Sequence, residues 1–226
     1  MDGDVMSGKA GPPWSEPRWP VALSIIAVLA LLTAMPDRVR LLPPWVLFAV
    51  GAIVLATMAA TALQPRSTAW PPIERAATFA LAAGAGTANV VVLVALIFDM
   101  IERSKEVDGL KLLSSSIAVW ATNVMTFSLL YWQLDRGGPI SRASASPERP
   151  DWIFPADQAP DGAMPPGWRP QFIDYLFLGF STATAFSTTD ALPLTARAKL
   201  AMMVESMISL ATLVVVGARA INVLGP

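Results

Sequence analysis

The chain contains no cysteine and no histidine. Without cysteine there are no disulfides, no thiol nucleophile and no thiolate metal site, and the redox compartment stays open. Without histidine the usual zinc ligands and the side chain that titrates nearest neutral pH are gone. Charge is also scarce. Only 15% of the 226 residues are Asp, Glu, Lys or Arg, and the net charge is −1. There is no basic stripe of the kind that binds nucleic acid. These absences argue against an enzyme, and no cofactor or metal is expected. What remains is apolar: 54% of the residues are hydrophobic, gathered into uninterrupted runs of membrane-spanning length. The expectation is an all-α membrane protein in contact with the lipid bilayer.

Four regions are expected. Residues 1–19, rich in Gly and Pro, read as a flexible tail. The apolar run after them lacks a basic n-region and a small-residue cleavage site, so it reads as a retained helix rather than a signal peptide. Residues 20–134 read as four transmembrane helices, over about 20–35, 43–63, 76–101 and 112–132. Pro20 and Pro43-Pro44 suit helix starts, and Trp45 and the Tyr131-Trp132 pair suit the membrane interface. Ala82-Ala-Gly-Ala-Gly86 would let a neighbouring backbone approach. Asn123 would make an interhelical hydrogen bond, and Asp99 would pair with Arg103 at the surface. Residues 135–170 read as a long polar loop whose Trp152 and Trp168 fold part of it back onto the membrane face.

The fourth region, 171–226, is the most informative. Residues 171–184 are mostly apolar, but as a helix they would be roughly 21 Å long, against a hydrocarbon core of roughly 30 Å. A polar Thr/Ser tract, an Asp and a Pro turn follow, and then a full-length apolar helix over about 196–224. The short segment is therefore expected to be re-entrant. It would enter the bilayer, stop, and leave by the same face, because irregular backbone at that depth must be buried by protein or line a cavity. That makes five spans plus one re-entrant helix, with the termini on opposite sides. The basic residues of the short connections slightly favour the C-terminus inside.

The segment Thr182-Ala-Thr-Ala-Phe-Ser-Thr-Thr-Asp-Ala-Leu-Pro-Leu-Thr195 resembles the pore loop of potassium channels, with matches at Thr182, Ala183, Thr184, Asp190, Pro193 and Thr195. The helix after it resembles the inner helix of bacterial members, so the likeness covers about a quarter of the chain. More of the chain, from Arg38 to Gly138, resembles a family of bacterial integral membrane proteins of unknown function. The first resemblance implies a pore module in a homo-oligomer, a tetramer above all. It also implies a path for monovalent cations across the bacterial inner membrane. Where the channels carry Thr-Val-Gly-Tyr-Gly, this chain has Ala185, Phe186, Ser187, Thr188 and Thr189. The missing glycines remove the left-handed backbone that aims successive carbonyls at an ion, so the filter would be non-standard and weakly selective.

Several residues carry two readings. Thr182, Thr184, Ser187, Thr188 and Thr189 would line a polar constriction or satisfy the backbone of a closed loop. Asp190 would concentrate cations at the outer mouth or cap the turn before Pro193. Glu205, Ser209 and Thr212 share one face of the last helix with Arg219. A carboxylate within a span is a functional candidate by default, yet Glu205 would equally brace the re-entrant loop. Three functions follow: a channel-like pore, a non-conducting scaffold or partner-binding subunit of the same shape, and a transporter or intramembrane enzyme using Glu205 and Asp190. The last ranks lowest, because only one broken helix is visible.

Overall fold

A computed structural model of the chain describes residues 16–34, 43–64, 67–102, 109–144, 148–160, 162–165, 167–184 and 191–224. The elements in order are α1 (Trp19–Ala34), α2 (Pro44–Leu63), α3 (Trp70–Glu102), α4 (Gly109–Leu134), α5 (Pro139–Ala143), β1 (Trp152–Ile153), α6 (Phe172–Thr184), β2 (Leu192–Pro193) and α7 (Ala196–Leu224). The protein is an all-α membrane protein: α2, α3, α4 and α7 are each long and apolar enough to cross a bilayer. The 16 residues of α1 reach only about 24 Å. The 13 residues of α6 reach about 20 Å.

Most boundaries follow from local chemistry. Proline opens α2, where its missing N–H costs no helical bond. Pro71 and Pro72 lie in the first turn of α3 for the same reason, so this helix starts six residues before the expected position and absorbs much of the expected 64–75 loop. At the far end of α4, three consecutive residues take left-handed angles: Arg136 (φ 52°), Gly137 (φ 74°) and Gly138 (φ 92°). This reverses the chain into α5, which begins on Pro139.

The central helix is α4, packed against α1, α3, α6 and α7. In its apolar stretch 56% of residues are buried, against 39% in α3 and 28% in α2 and α7, which lie at the periphery. Gly84 and Gly86 of α3 face open space, so no close approach among the described residues uses them. The close approaches are instead at Gly51, against Leu29 of α1, and at Gly179 of α6.

One end of the bundle gathers most of the connections. Arg18, just before α1, pairs with Glu74 at the start of α3. Arg75 donates to the Gly137 carbonyl after α4 (3.0 Å). β1 pairs antiparallel with β2, with Trp152 opposite Pro193, so the chain leaving α6 comes back to the end at which α6 began. Residues 171–195 therefore enter and leave the bundle at one end, the geometry of a re-entrant segment.

This topology predicts a labelling pattern. Single cysteines at Ser144 and Ala196 should both react with an impermeant reagent from one face of the membrane, and a cysteine at Trp45, at the opposite end of the bundle, only from the other. Reaction of the first two from opposite faces would refute the re-entrant arrangement.

Candidate functional site

The end of α4 is closed by a buried charged network. Arg142 of α5 donates through Nη1 to the Trp132 and Asp135 carbonyls (2.7 and 3.0 Å), two carbonyls at the C-terminus of α4. Its Nη2 donates to Glu16 Oε2 (3.1 Å). Glu16 Oε1 accepts from the Trp132 indole (2.8 Å) and from the Phe172 amide that opens α6 (2.6 Å), a carboxylate at the positive end of a helix dipole. Burial pushes the Glu16 carboxyl above its ordinary range, and the Arg142 charge opposes that shift. The expected flexible tail of 1–19 is thus corrected at its end, since Glu16 is buried and α1 begins on Trp19.

The segment after α5 joins the same network. Asp135 Oδ1 accepts from the Asp151 and Trp152 amides (2.8 and 3.3 Å), and Oδ2 from the Tyr175 hydroxyl (2.7 Å). Asp151 holds the first turn of α7. It accepts from Arg197 Nε and Nη2 (2.7 and 2.6 Å) and from the Thr195 hydroxyl (2.5 Å), a two-point guanidinium–carboxylate pair. Asp135, Arg142 and Asp151 are all buried. The described parts of 135–170 therefore form a structured cap fastening the end of α4 to the starts of α6 and α7, not merely a polar loop.

Below the cap, α4, α6 and α7 meet at Glu205, which is wholly buried. Its Oε2 accepts from the Tyr131 hydroxyl (2.5 Å). Asn123 of α4 donates to the Glu205 carbonyl (3.1 Å) and to the Ser209 hydroxyl (2.9 Å), the interhelical bond expected of it. Gly179 of α6 lies against the same junction. A Cβ there would fall 2.5 Å from Ser128 Oγ, 3.1 Å from the Val124 carbonyl and 3.3 Å from Glu205 Oε1. Glycine is what lets α6 seat this deeply between its neighbours.

The expected site residues fall into three groups. Glu205, Ser209 and Thr212 are buried inside the chain rather than on the exposed face of α7. Thr182 is buried near α7, with the Ser206 hydroxyl donating weakly to its carbonyl (3.4 Å), while the Thr184 hydroxyl bonds back to the Phe180 carbonyl of its own helix (2.8 Å). Ala185, Phe186, Ser187, Thr188, Thr189 and Asp190 lie outside the described residues, as does Arg103 of the expected Asp99–Arg103 pair. Tyr131 and Trp132, expected as an interfacial belt, are fully buried, because α4 is central and the cap covers its end. Gly179, Tyr131, Asp135, Arg142 and Asp151 carry the junction and the cap, and no local motif announced them.

Comparison with protein-family models, with curated proteins and with solved structures returned no match.

If Glu205 braces this junction, Glu205→Gln should unfold at nearly the wild-type temperature, because the amide still accepts from Tyr131. Glu205→Leu strands the buried Tyr131 hydroxyl and should cost about 1–3 kcal/mol. Adding Tyr131→Phe removes the orphan and should recover part of that loss in a double-mutant cycle. Full stability of Glu205→Leu alone would eliminate the bracing role.

Proposed function

We propose that the chain is one subunit of an oligomeric, channel-like protein of the bacterial inner membrane, a homotetramer above all. In it, residues 182–190 border a weakly selective path for monovalent cations. The observation that carries this reading is the short helix α6, which starts at one end of the bundle, is followed by chain that returns to that end, and is backed by α4 and α7. Its C-terminus lies level with Ser206, within the spanning part of α7. The negative end of a helix dipole there, roughly half a charge, favours a cation over an anion. The likeness of 182–195 to the potassium-channel pore loop supports the same reading. So does the hydroxyl-rich tract ending in Asp190, which in this reading lies at the outer mouth.

One re-entrant segment per chain cannot enclose a pore, so the reading requires symmetric assembly. The exposed faces suit that demand. Ile173 and Phe180 of α6 and Leu200, Met203, Met207 and Leu210 of α7 present apolar surface, which in a bilayer meets lipid or a second copy. Glu205 and its neighbours on α7 brace the subunit in this scheme and do not line the path.

A second reading has a specific observation behind it. Leu200, Met203, Val204, Met207, Leu210, Leu213 and Val214 are exposed on α7, while its polar residues Glu205, Ser209 and Thr212 are turned inward. A non-conducting scaffold or partner-binding subunit keeping the pore-module shape would look the same.

Flux into sealed proteoliposomes separates the two. The channel reading expects potassium and sodium to pass with little preference, since the glycine-dependent carbonyl ladder is missing. It also expects Phe186→Ala to raise the flux by removing an apolar constriction. No flux from confirmed oligomers, in wild type and in Phe186→Ala, would overturn it in favour of the scaffold. Strong potassium selectivity would contradict the reading of the filter.

A further inference from the structure

Between the cap and α6 lies a cavity of about 400 Å3 that neither the junction nor the proposed path uses. Its aromatic wall is Phe154, Trp168 and Phe177, with Met164 beside them, and Asp174 and Ser181 are its polar members. The wall is built rather than incidental. The Ala163 amide bonds to the Pro160 carbonyl (3.0 Å) and the Trp168 amide to the Pro165 carbonyl (3.1 Å), and Met164 and Trp168 share the cavity with α6. Gly162 and Gly167 hold the left-handed angles of the turns these bonds close (φ 83° and 74°). Phe154 is buried and anchors the wall edge-on, with its ring centroid 6.4 Å from that of Trp168 and 5.3 Å from that of Tyr175.

The charge of this cavity has one sign. Asp174 is the charged residue among the described lining. One of its oxygens accepts from the Gln171 amide (2.8 Å), and among the described residues no Lys or Arg forms an ion pair with it. The Asp157 carboxylate adds to the negative field at Asp174, and Arg136 already pairs with that carboxylate (2.8 Å). A half-sheltered carboxylate with no ion-pair partner among the described residues, sharing a cavity wall with aromatic rings, attracts an organic ammonium: the charge meets the carboxylate, and the rings add cation–π attraction and apolar contact. The volume is within the range of small-molecule sites.

We propose that this cavity binds a free organic cation, an ammonium group carried on an apolar body, and that Asp174 with Trp168 supplies the selectivity for charge. The site does not depend on conduction and stands or falls separately from the channel reading.

The test uses the full chain in phosphatidylglycerol nanodiscs, whose lipid carries no ammonium group. The probes are benzyltrimethylammonium and its neutral isostere neopentylbenzene. Binding is read by ligand-observed magnetic resonance against empty discs. The cation should bind at least tenfold tighter than the isostere. Asp174→Asn, whose amide oxygen still accepts from Gln171, should weaken the cation at least tenfold and leave the isostere unchanged. Trp168→Leu should weaken the cation as well. Equal affinity for the two probes, or no effect of Asp174→Asn on the cation, would overturn the proposal. Loss of cation binding in phosphatidylcholine discs alone would also overturn it, by identifying the lipid headgroup as the occupant.

Discussion

A helix that stops inside a bilayer leaves backbone groups at both ends without helical partners, and hydrocarbon supplies none. In the proposed re-entrant arrangement, the contacts at both ends of α6 answer that constraint. At its start, the Phe172 amide goes to Glu16 and the Gln171 amide to Asp174. Toward its end, the Ser206 hydroxyl reaches the Thr182 carbonyl. Along its length, Gly179 brings its backbone against Val124 and Ser128 of α4 and Glu205 of α7, so that protein replaces lipid on the buried side. Helix α4 is central because it offers one face to this short helix and another to α1 and α3.

The charged cap is the second half of the same solution. A buried ion pair gains little net stability, but removing one partner is costly, at about 3–5 kcal/mol. Such a network therefore serves position better than it serves stability. Arg142 satisfies carbonyls at the end of α4 and holds Glu16 at the start of α6, while Asp151 holds the first turn of α7. Register among the three helices is thus set at one end by groups with fixed geometry, and lower down by the contact of Tyr131 with Glu205. In the proposed pore, that rigidity would hold the tract after Thr184 in place.

The parts of this structure that were legible in the sequence rest on short-range physics. The apolar runs and the Pro turn between them put α6 within a residue of its observed start and α7 at Ala196. Asn123 was readable because an amide inside a span needs a partner. What was missed depends on pairings between distant residues. Glu16 and Arg142 lie in segments that each read as solvated tail or loop, and nothing local says that they bury each other. Tyr131-Trp132 at a helix end carries the composition of an interfacial belt, and the central place of α4 together with the cap makes it interior. Gly84 and Gly86 illustrate the converse: a small-residue run permits close approach without requiring one.

The central claim is that α6 is re-entrant so that copies of the chain can enclose a path with it. Electron cryomicroscopy of the protein in nanodiscs, viewed down the membrane normal, tests this most directly. The account predicts a closed ring, four-fold above all, with the C-terminal ends of α6 and residues 182–190 converging on the symmetry axis. Single copies, or a ring in which α6 faces outward to lipid, would contradict it.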